Sequence, residues 1–381
     1  MTLGTEEELK LYILSHGVSI TSRAEQAWLD RFGGPLTLSE YASTSGICFY
    51  TAGDVWINAP FIESFTEGTE AVFDFVDDTF SVASHGQVTP VTVVPVPRYH
   101  ESWWTDERDG QNYRYTNIGV THTDRVRISP VEGCHWRCTF CDLPYEFKYR
   151  TKPLPEMVKV VELAVVDTPP ARHVLISGGT PSPDDEAWLD DVYAKVAAAS
   201  PIPVDVMMPA RHDFGYPKWL RSAGVNMISV NLEVSDPERA RRITPNKARL
   251  FGRQHYLDYI EAAVDAFGVG FVQSLMVFGP AVESLESTLQ GVEDLARRGC
   301  IPVLSPFRPD ASTPLGRRGA PPPTVEDMRV MWERSLDICD QAGTGVKPGP
   351  RCIPCHHNTV TFPDGTDFYV PLDGDLTRAP S

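Results

Sequence analysis

The sequence predicts an α/β protein with a partial (β/α)6, TIM-like barrel at its centre, an N-terminal α+β extension and a short C-terminal tail. Apolar β-branched runs alternate with helix-length segments from about residue 124 onwards. The residues before this alternation lack a regular repeat, and a Pro- and Gly-rich connector, DASTPLGRRGAPPPT, follows it. We therefore divide the chain into an extension (1–120), a barrel (121–316) and a tail domain (317–381).

The extension mixes short helices and strands. Helical patterns cover residues 5 to 14 and 22 to 32. Two β-rich stretches, GICFYTAGDVWI and VTPVTVVPVP, follow them, and WWTDERDGQNYRY has the composition of a polar loop with aromatic residues. We expect this part of the chain to cover the mouth of the barrel.

The barrel is predicted from six short apolar runs, each typical of a buried parallel strand. In chain order these are DRVRISPV, RHVLISGG, PVDVMMPA, NMISVNLEV, GFVQSLMVFG and CIPVLSPF. The helical segments between them include PEMVKVVELAVVD, DDEAWLDDVYAKVAAAS, FGRQHYLDYIEAAVDAFG and SLESTLQGVEDLARRG. The last two end at Gly, as helix C-termini often do. Six strand and helix units favour a parallel sheet that curls toward a barrel.

The tail begins with a predicted helix near residues 324 to 342. It continues with GPRCIPCHHNTVTFPDGTDFYVP, which contains a CxxC pair. The Gly, Pro and Thr content of this stretch predicts short strands and turns.

The 381-residue chain has a net charge of −17 at pH 7. Non-specific binding to nucleic acid depends on Lys and Arg, so a nucleic-acid partner is not favoured. No run approaches the ~20 apolar residues that span a bilayer, and the acidic start MTLGTEEELKLYIL lacks the blocks of a signal peptide. We therefore expect a cytoplasmic location, where clustered cysteines more often bind metal or take part in chemistry than form disulfides.

Three of the eight cysteines fall within GCHWRCTFCDLP, directly after the first predicted barrel strand: Cys134, Cys138 and Cys141. Reactive groups in parallel β/α folds collect at this end of the strands. Soft thiolates favour zinc, copper(I) or iron–sulfur clusters. A zinc knuckle would need a fourth ligand such as His135, whereas a four-iron cluster with three ligands would leave one iron open to a substrate or cofactor. Three unrelated thiols are the remaining interpretation.

The segment CHWRCTFC has the spacing CxxxCxxC and resembles the signature of the radical S-adenosylmethionine (SAM) superfamily. The resemblance covers roughly the barrel and is of the biotin-synthase-like, partial-barrel type. It implies that the three cysteines hold a [4Fe–4S] cluster whose fourth iron binds SAM. An electron from the cluster would then cleave SAM to methionine and a 5′-deoxyadenosyl radical that abstracts hydrogen from a substrate. Phe140 matches the aromatic residue that lies near the adenine.

Two later strand ends resemble SAM-binding motifs of the same superfamily. LISGGTPSP resembles the GGE motif, which implies that Gly178, Gly179 and Thr180 bind the methionyl amine, with Thr in place of the usual acid. In SVNLEVSD, the resemblance implies that Asn231 and Glu233 contact the ribose or the methionyl group.

Three further residues are candidates with structural alternatives. Arg241, or its neighbour Arg242, is a candidate for the methionyl carboxylate, with a surface salt bridge as the alternative. SLMVFGPAVES resembles the GxIxGxxE segment, which implies that Val277 packs on the adenine, although a strand Val is also common in a core. Arg308, after the sixth strand, is a candidate substrate anchor or a member of a structural ion pair.

A second group, Cys352 and Cys355, is followed by two histidines. It could bind an auxiliary cluster or another metal with help from Cys339, a histidine or substrate. Alternatively, the tail folds over the barrel and brings side chains near the substrate, where a Cys could donate hydrogen to a product radical. The tail residues considered are Arg351, Cys352, Cys355, His356, His357 and Asn358. We take Cys352, Cys355 and Arg308 as candidate catalytic residues, and expect Cys48, Cys300 and Cys339 to be buried apolar residues.

The predicted function is that of a radical SAM enzyme that abstracts hydrogen from a small-molecule biosynthetic intermediate. A flavodoxin- or ferredoxin-type protein is the expected electron donor. The alternatives are a tRNA- or peptide-modifying member with an auxiliary cluster and, in another class, a non-catalytic zinc or iron–sulfur scaffold or regulator. A cobalamin-dependent methylase is not expected, because the N-terminal part lacks the length of a cobalamin domain.

Overall fold

The computed structural model describes residues 3–34, 36, 46–62 and 64–369. Residues 370–381, the end of the predicted tail, lie outside the described residues. The described chain consists of an N-terminal α+β region, a curled central sheet with helices between its strands, and a C-terminal helix followed by a tail.

The described part of the N-terminal region contains two α-helices and three small sheets. Both predicted helices are present, and the two predicted β-rich stretches contribute strands. The bounds are α1 Thr5–His16, β1 Ser19–Ile20, α2 Ser22–Phe32, β2 Ile47–Tyr50, β3 Trp56–Ala59, β4 Val72–Val76, β5 Thr79–Ser84, β6 Gln87–Pro90, β7 Thr92–Val93, β8 Trp103–Asp106 and β9 Gln111–Arg114.

The stretch WWTDERDGQNYRY forms the hairpin β8–β9, so the expectation of a loop is wrong. Trp104 pairs with Tyr113 across the hairpin, and their rings stack with centroids 5.4 Å apart. In the turn, Arg108 Nε donates to Asp106 Oδ1 over 2.9 Å, and Gly110 has a φ of 70°. A cross-strand aromatic pair and suitable turn residues outweigh the polar composition of the segment.

Nine strands follow in the barrel region, including all six that were predicted. The bounds are β10 Gly119–His122, β11 Arg125–Ile128, β12 Val131–Glu132, β13 Arg150–Thr151, β14 His173–Ile176, β15 Val204–Met208, β16 Met227–Val230, β17 Val272–Phe278 and β18 Ile301–Pro306. β12 and β13 form a separate pair, and the other seven form one sheet in chain order. The six predicted strands are parallel, whereas the unpredicted β10 pairs antiparallel with β11.

The helices of this region and of the tail largely follow the predicted segments. Their bounds are α3 Leu143–Glu146, α4 Leu154–Val166, α5 Glu186–Ala199, α6 Tyr216–Ser222, α7 Pro237–Ile243, α8 Pro245–Leu250, α9 Gly252–Phe267, α10 Leu285–Arg297 and α11 Val325–Ala342. Among the described residues, none of the helices combines the length and the apolar character that crossing a membrane requires.

The parallel strands give the sheet two chemically distinct ends. We call the end where these strands start the amino rim; it includes Asp124, just before β11, and His173, the first residue of β14. We call the opposite end the carboxyl rim; it includes the cysteine loop, residues 133–142, and the Gly178–Gly179 turn after β14. The cysteine loop therefore lies at the carboxyl rim, whereas Cys352 and Cys355 contact Asp124 and His173 at the amino rim.

The tail runs along β18, the last strand of the sheet. The amide of Gly349 donates to the Pro302 carbonyl over 2.8 Å, and that of Val360 donates to the Leu304 carbonyl over 2.9 Å. Between these contacts lies a 3-10 helix, Ile353–Asn358, in place of the short strands predicted for residues 349–369. Three Pro residues in this stretch lack the amide hydrogens that a ladder needs. The tail thus covers the open edge of the sheet.

One apolar cluster joins the N-terminal region to the last strands of the barrel. It contains Leu11 from α1, Phe49 from β2 and Phe73 from β4 together with Val303 from β18 and Met331 from α11. Because these side chains share one core, the N-terminal region packs directly on the barrel.

Candidate active site

The cysteine loop is fixed at the carboxyl rim by backbone hydrogen bonds to two later segments. The amide of His135 donates to the carbonyl of Thr180 over 2.9 Å, and the amide of Thr139 donates to the carbonyl of Ile243 over 2.8 Å. The first bond joins the loop to the segment after β14, and the second joins it to the end of α7. The loop is therefore held between the second and fourth strand–helix units.

The sulfur of Cys134 accepts two backbone hydrogen bonds. The amides of Trp136 and Thr180 donate to Cys134 Sγ over 3.3 and 3.2 Å. Both donors stabilise a thiolate, which is the form of cysteine that binds metals. The side chain of His135, the fourth zinc ligand considered from the sequence, is exposed.

Burial raises the pKa of each thiol in the loop. It does so for Cys134, and it acts together with the nearby carboxylate of Glu233 on Cys138 and with that of Asp142 on Cys141. A cation bound among the three sulfurs would reverse this preference by stabilising the thiolates. The loop thus has the donor set of a cluster site. Without a bound metal, the raised pKa values favour the neutral thiols over three thiolates.

Two glycines let the chain after β14 approach the cysteine loop. Gly178 has a φ of 120°, a conformation that favours glycine. A Cβ atom on Gly179 would lie 1.7 Å from the carbonyl oxygen of Gly133. Only glycine permits this contact, so the Gly-Gly sequence is explained by direct packing against the start of the loop.

A buried ion pair, which the sequence did not suggest, lies beside Cys138. Lys247 Nζ lies 2.7 Å from Glu233 Oε2 and donates to the carbonyl of Asn231 over 2.9 Å. It also lies 5.9 Å from the ring centroid of Trp136 in the loop. Glu233 has a φ of 64°, which is unusual for a residue with a side chain. Lys247 belongs to the short helix α8, and its side chain is buried.

The other residues predicted after β16 have distinct environments. Asn231 is buried, and its Oδ1 accepts hydrogen bonds from the Leu275 amide (3.1 Å) and the Ser229 hydroxyl (2.7 Å). Arg242 pairs with Glu238 on the surface at 2.8 Å. Arg241 instead lines a cleft that also contains Thr244, Lys247 and Tyr256. Of the two arginines, Arg241 is therefore the better candidate for a ligand contact.

A cavity beside the cysteine loop brings together residues from all three parts of the chain. Its lining includes Leu14 and Pro60 from the N-terminal region, Phe140, Cys141 and Asp142 from the loop, Val277 and Arg308 from the last two strand ends, and Asn358 from the tail. Phe140 also packs on the apolar cluster that contains Val277. Burial raises the pKa of Asp142 to about 6. The N-terminal region and the tail thus both reach the mouth of the barrel.

The second cysteine group lies at the amino rim, at the other end of the sheet. Cys352 Sγ lies 3.4 Å from Asp124 Oδ1, and Cys355 Sγ lies 3.4 Å from His173 Nε2. All four residues are buried. The structure therefore does not bring Cys352 or Cys355 to the cavity at the carboxyl rim, and among the tail residues considered from the sequence, Asn358 is the one that lines it.

Of the remaining tail candidates, His356 and His357 are buried and Arg351 is partly buried. His356 Nε2 contacts the Pro350 carbonyl at 3.0 Å, and His357 stacks on His122 of β10 with ring centroids 5.7 Å apart. Burial lowers the pKa of His356 to about 3. The buried Lys10 donates to the carbonyls of His356 (2.9 Å) and Thr361 (2.5 Å), which joins α1 to the tail.

Cys48, Cys300 and Cys339 are buried. Their burial agrees with the expectation of small apolar residues.

Residues 128–292 match a family model described as the Radical SAM superfamily. The matched segment begins at the last residue of β11 and ends within α10. It contains the three cysteines of the loop, the Gly178–Gly179 turn and the Glu233–Lys247 pair.

The chain is also similar to a curated protein, the bacteriochlorophyllide c C-7(1)-hydroxylase of Chlorobaculum limnaeum, with 28% identity over 122 residues. This match covers 32% of the chain and 29% of the hydroxylase, so the chain spans less than a third of that relative. Two similar solved structures are the FeFe-hydrogenase maturase HydG from Carboxydothermus hydrogenoformans and methylornithine synthase (PylB). Each is 14% identical with a TM-score of 0.44. The match to HydG covers 60% of this chain and 54% of HydG. The match to PylB covers 67% of this chain and 77% of PylB.

Proposed function

We propose that this chain, which belongs to the radical SAM superfamily, cleaves SAM reductively and uses the resulting radical to abstract hydrogen from a small-molecule biosynthetic intermediate. Proteins of this superfamily are enzymes that bind a [4Fe–4S] cluster and SAM, so the chain is an enzyme. This membership supports the enzyme over the alternative of a non-catalytic zinc or iron–sulfur scaffold.

Cys134, Cys138 and Cys141 are the proposed ligands of the cluster. The observation that carries this assignment is the pair of backbone amides, from Trp136 and Thr180, that donate to Cys134 Sγ. Hydrogen bonds to sulfur stabilise thiolate ligands and tune the potential of a cluster. When bound, the cluster and SAM supply the electron transfer and the 5′-deoxyadenosyl radical that begin the reaction.

The proposed SAM contacts use groups that remain available at the carboxyl rim. Because Asn231 Oδ1 already accepts two hydrogen bonds, what Asn231 can offer the ribose or the methionyl group is its Nδ2 donors. Glu233 is held beside the loop by its ion pair with Lys247. Arg241 has an exposed guanidinium suited to a carboxylate. The turn of Gly178, Gly179 and Thr180 is proposed to bind the methionyl amine.

The apolar side chains of Phe140 and Val277 are proposed to bind the adenine. Both line the cavity next to Cys141, and both belong to one apolar surface. Leu14 and Pro60 line the same cavity from the N-terminal region. Closing this mouth would exclude water, which protects a radical from side reactions.

Arg308 is the proposed substrate anchor. Arg308 lines the same cavity as Asp142 and Asn358, and a positive group there favours a substrate with a carboxylate or a phosphate. Cys352 and Cys355 stand outside this proposal, because they contact Asp124 and His173 at the opposite rim. We propose a flavodoxin- or ferredoxin-type protein as the electron donor.

The alternative of a tRNA- or peptide-modifying enzyme with an auxiliary cluster has less support. The net charge of −17 opposes binding to RNA. The donor atoms around Cys352 and Cys355 lie within 4.8 Å of one another, which leaves little room for a cluster of several irons. The relative from Chlorobaculum limnaeum is named as a hydroxylase of a bacteriochlorophyllide, so a tetrapyrrole belongs among the substrates to be tested.

The test is anaerobic reconstitution with iron and sulfide, followed by reduction in the presence of SAM. We expect a broad absorbance near ~400 nm and release of 5′-deoxyadenosine, both of which depend on the cluster. Cys138→Ala should abolish both signals, whereas Cys339→Ala, which removes a buried thiol outside the loop, should retain them. Release of 5′-deoxyadenosine by Cys138→Ala at the wild-type rate would refute the proposal. Deuterated candidate substrates then identify the substrate by transfer of deuterium into 5′-deoxyadenosine.

A further inference from the structure

We propose that Asp124, His173, Cys352 and Cys355 form a structural zinc site at the amino rim. The site is separate from the proposed radical chemistry and does not depend on it. It would join the C-terminal tail to the first two parallel strands of the barrel.

The four side chains already point their donor atoms at one another. One ligand atom from each residue can be chosen so that all four lie within 4.8 Å of one another. The closest contacts are Cys352 Sγ to Asp124 Oδ1 and Cys355 Sγ to His173 Nε2, each at 3.4 Å. Tetrahedral zinc has bonds of about 2.0 to 2.3 Å, so its ligand atoms are themselves about 3 to 4 Å apart. The spacing fits one metal ion.

The chemistry of the donors favours zinc. Two thiolates, one imidazole and one carboxylate are all common zinc ligands, and four such donors complete its preferred tetrahedron. A cluster of several irons and sulfides does not fit between donor atoms that lie this close together. The site is also closed to solvent, with exposures of 0% for Asp124, 1% for Cys352, 4% for His173 and 6% for Cys355. Four protein ligands in a closed site are typical of structural zinc.

Neighbouring residues orient two of the proposed ligands. His173 Nδ1 lies 3.2 Å from Asp205 Oδ2, which leaves Nε2 directed at Cys355. Asp205 also accepts a hydrogen bond from the hydroxyl of Tyr369, whose ring stacks on His173. A carboxylate behind a histidine ligand is a recurring feature of zinc sites, because it fixes the tautomer and the orientation of the ring.

The guanidinium of Arg172 supplies charge balance. It pairs with Asp124 and lies 3.7 Å from Cys352 Sγ. Two thiolates and a carboxylate around a divalent ion leave one net negative charge, and a buried charge is costly unless it is paired. Arg172 provides the compensating positive charge and also pairs with Asp367 of the tail at 2.8 Å.

The ligands come from distant parts of the sequence, which gives the site a mechanical role. Asp124 precedes β11 and His173 starts β14, whereas Cys352 and Cys355 belong to the tail. Asn358, three residues after Cys355, lines the cavity at the carboxyl rim. A zinc ion at the amino rim would therefore fix the tail segment that completes the wall of that cavity.

The experiment uses the full chain with Cys134, Cys138 and Cys141 all changed to Ala, so that the cysteine loop cannot bind metal. Elemental analysis after purification should find about one zinc per chain. Zinc-edge X-ray absorption should find two sulfur neighbours at about 2.3 Å and two nitrogen or oxygen neighbours at about 2.0 to 2.2 Å. Cobalt(II) should replace zinc and give the visible bands of a tetrahedral site with thiolate ligands.

Matched variants of this chain separate the ligands from other thiols. Adding Cys355→Ser should lower the zinc content at least about tenfold, because one of the four ligands is weakened. Adding Cys339→Ser, which changes another buried thiol, should leave zinc unchanged. If Cys355→Ser does not fold, the absorption and cobalt spectra of the parent chain still decide the question.

Three results would overturn the proposal. They are a parent chain without zinc, iron in place of zinc at these ligands, and a disulfide between Cys352 and Cys355. None of them bears on metal binding by the cysteine loop, because this chain lacks the three cysteines of the loop. Equally, failure of the wild-type chain to cleave SAM would refute the proposed function and leave the zinc site intact.

Discussion

The two cysteine groups occupy opposite rims of one sheet and have opposite surroundings. The loop of Cys134, Cys138 and Cys141 is partly exposed, is held mainly by backbone hydrogen bonds and borders a cavity. Cys352 and Cys355 are buried among charged side chains. An open donor set suits a cofactor that must meet a substrate, whereas a closed set suits an ion that holds the chain together. The position on the sheet, more than the residue type, separates these roles.

The two cysteine groups also differ in the sequence distance between the residues that form each site. The three loop cysteines fall within eight positions, so their spacing is visible as a motif. The partners of Cys352 and Cys355 lie near residues 124 and 173, far from the CxxC pair. A local motif can be found by inspection, but a site assembled from distant residues needs the fold.

Gly179→Ala should break the carboxyl-rim site alone, and it has the largest expected effect. The added Cβ would lie 1.7 Å from the Gly133 carbonyl, so the cysteine loop must move. A displacement of about 1 Å at a reacting centre can cost on the order of 100-fold in rate. We expect a loss of that order in 5′-deoxyadenosine release by reconstituted protein.

Gly34→Ala is the control, because its added Cβ has no atom of the described residues within 4 Å other than those of its chain neighbours. Zinc content should be the same in both variants. A Gly179→Ala protein that retains half of the wild-type rate would contradict the packing argument.

Arg172→Met should weaken the amino rim alone. It leaves the buried carboxylates of Asp124 and Asp367 without their cation, and such losses cost about 3 to 5 kcal/mol. Urea unfolding should record this as a lower free energy of unfolding. Arg334→Met, which removes an exposed pair with Glu286, should cost much less, because solvent screens the charges of an exposed pair. Equal losses in the two variants would mean that the amino rim is no more dependent on its charges than the surface.

His100→Gln should make the stability of the protein less dependent on pH near the amino rim, with a smaller effect than Arg172→Met. His100 Nε2 accepts a hydrogen bond from the amide of Thr121 on β10, near the amino rim. Burial, with a smaller contribution from His122, lowers the pKa of His100 to about 3. Between pH 6.5 and 3 the unfolded chain binds a proton that the folded chain does not, so stability falls as the pH falls through this window.

Between pH 7 and pH 5 the wild type should lose about 2 kcal/mol more stability than His100→Gln, because other buried histidines such as His356 remain in both proteins. Gln can still accept the Thr121 amide hydrogen, and His85→Gln, at an exposed position, is the control. Chemical unfolding at the two pH values measures the difference. Equal losses of stability in the wild type and His100→Gln would show that His100 does not contribute to the acid sensitivity.

The regular elements were predictable because their patterns are local. The six parallel strands are short apolar runs, and helices such as α10 begin and end at capping residues that the sequence displays. The hairpin β8–β9 was missed because its polar composition hid a cross-strand pair of Trp104 and Tyr113. β10 was missed because four residues carry no period, and its pairing depends on β11.

The carboxyl-rim site was likewise predictable where its residues form local motifs. The three cysteines and the Gly178–Gly179 turn form motifs, and the structure gives the turn a physical reason in the contact with Gly133. Lys247 could not be found, because a Lys in a short helix is usually exposed and its ion pair with Glu233 depends on how α8 packs.

The tail along β18 has a consequence for the order in which the protein is made. Cys352 follows Cys141 by 211 positions, so the cysteine loop leaves the ribosome long before the segment that covers the edge of the sheet. The contacts of Gly349 and Val360 with β18 can form only after these later residues have also been made. The cysteine loop and the residues that cover the edge of the sheet are therefore made at well-separated stages of synthesis, with the loop first.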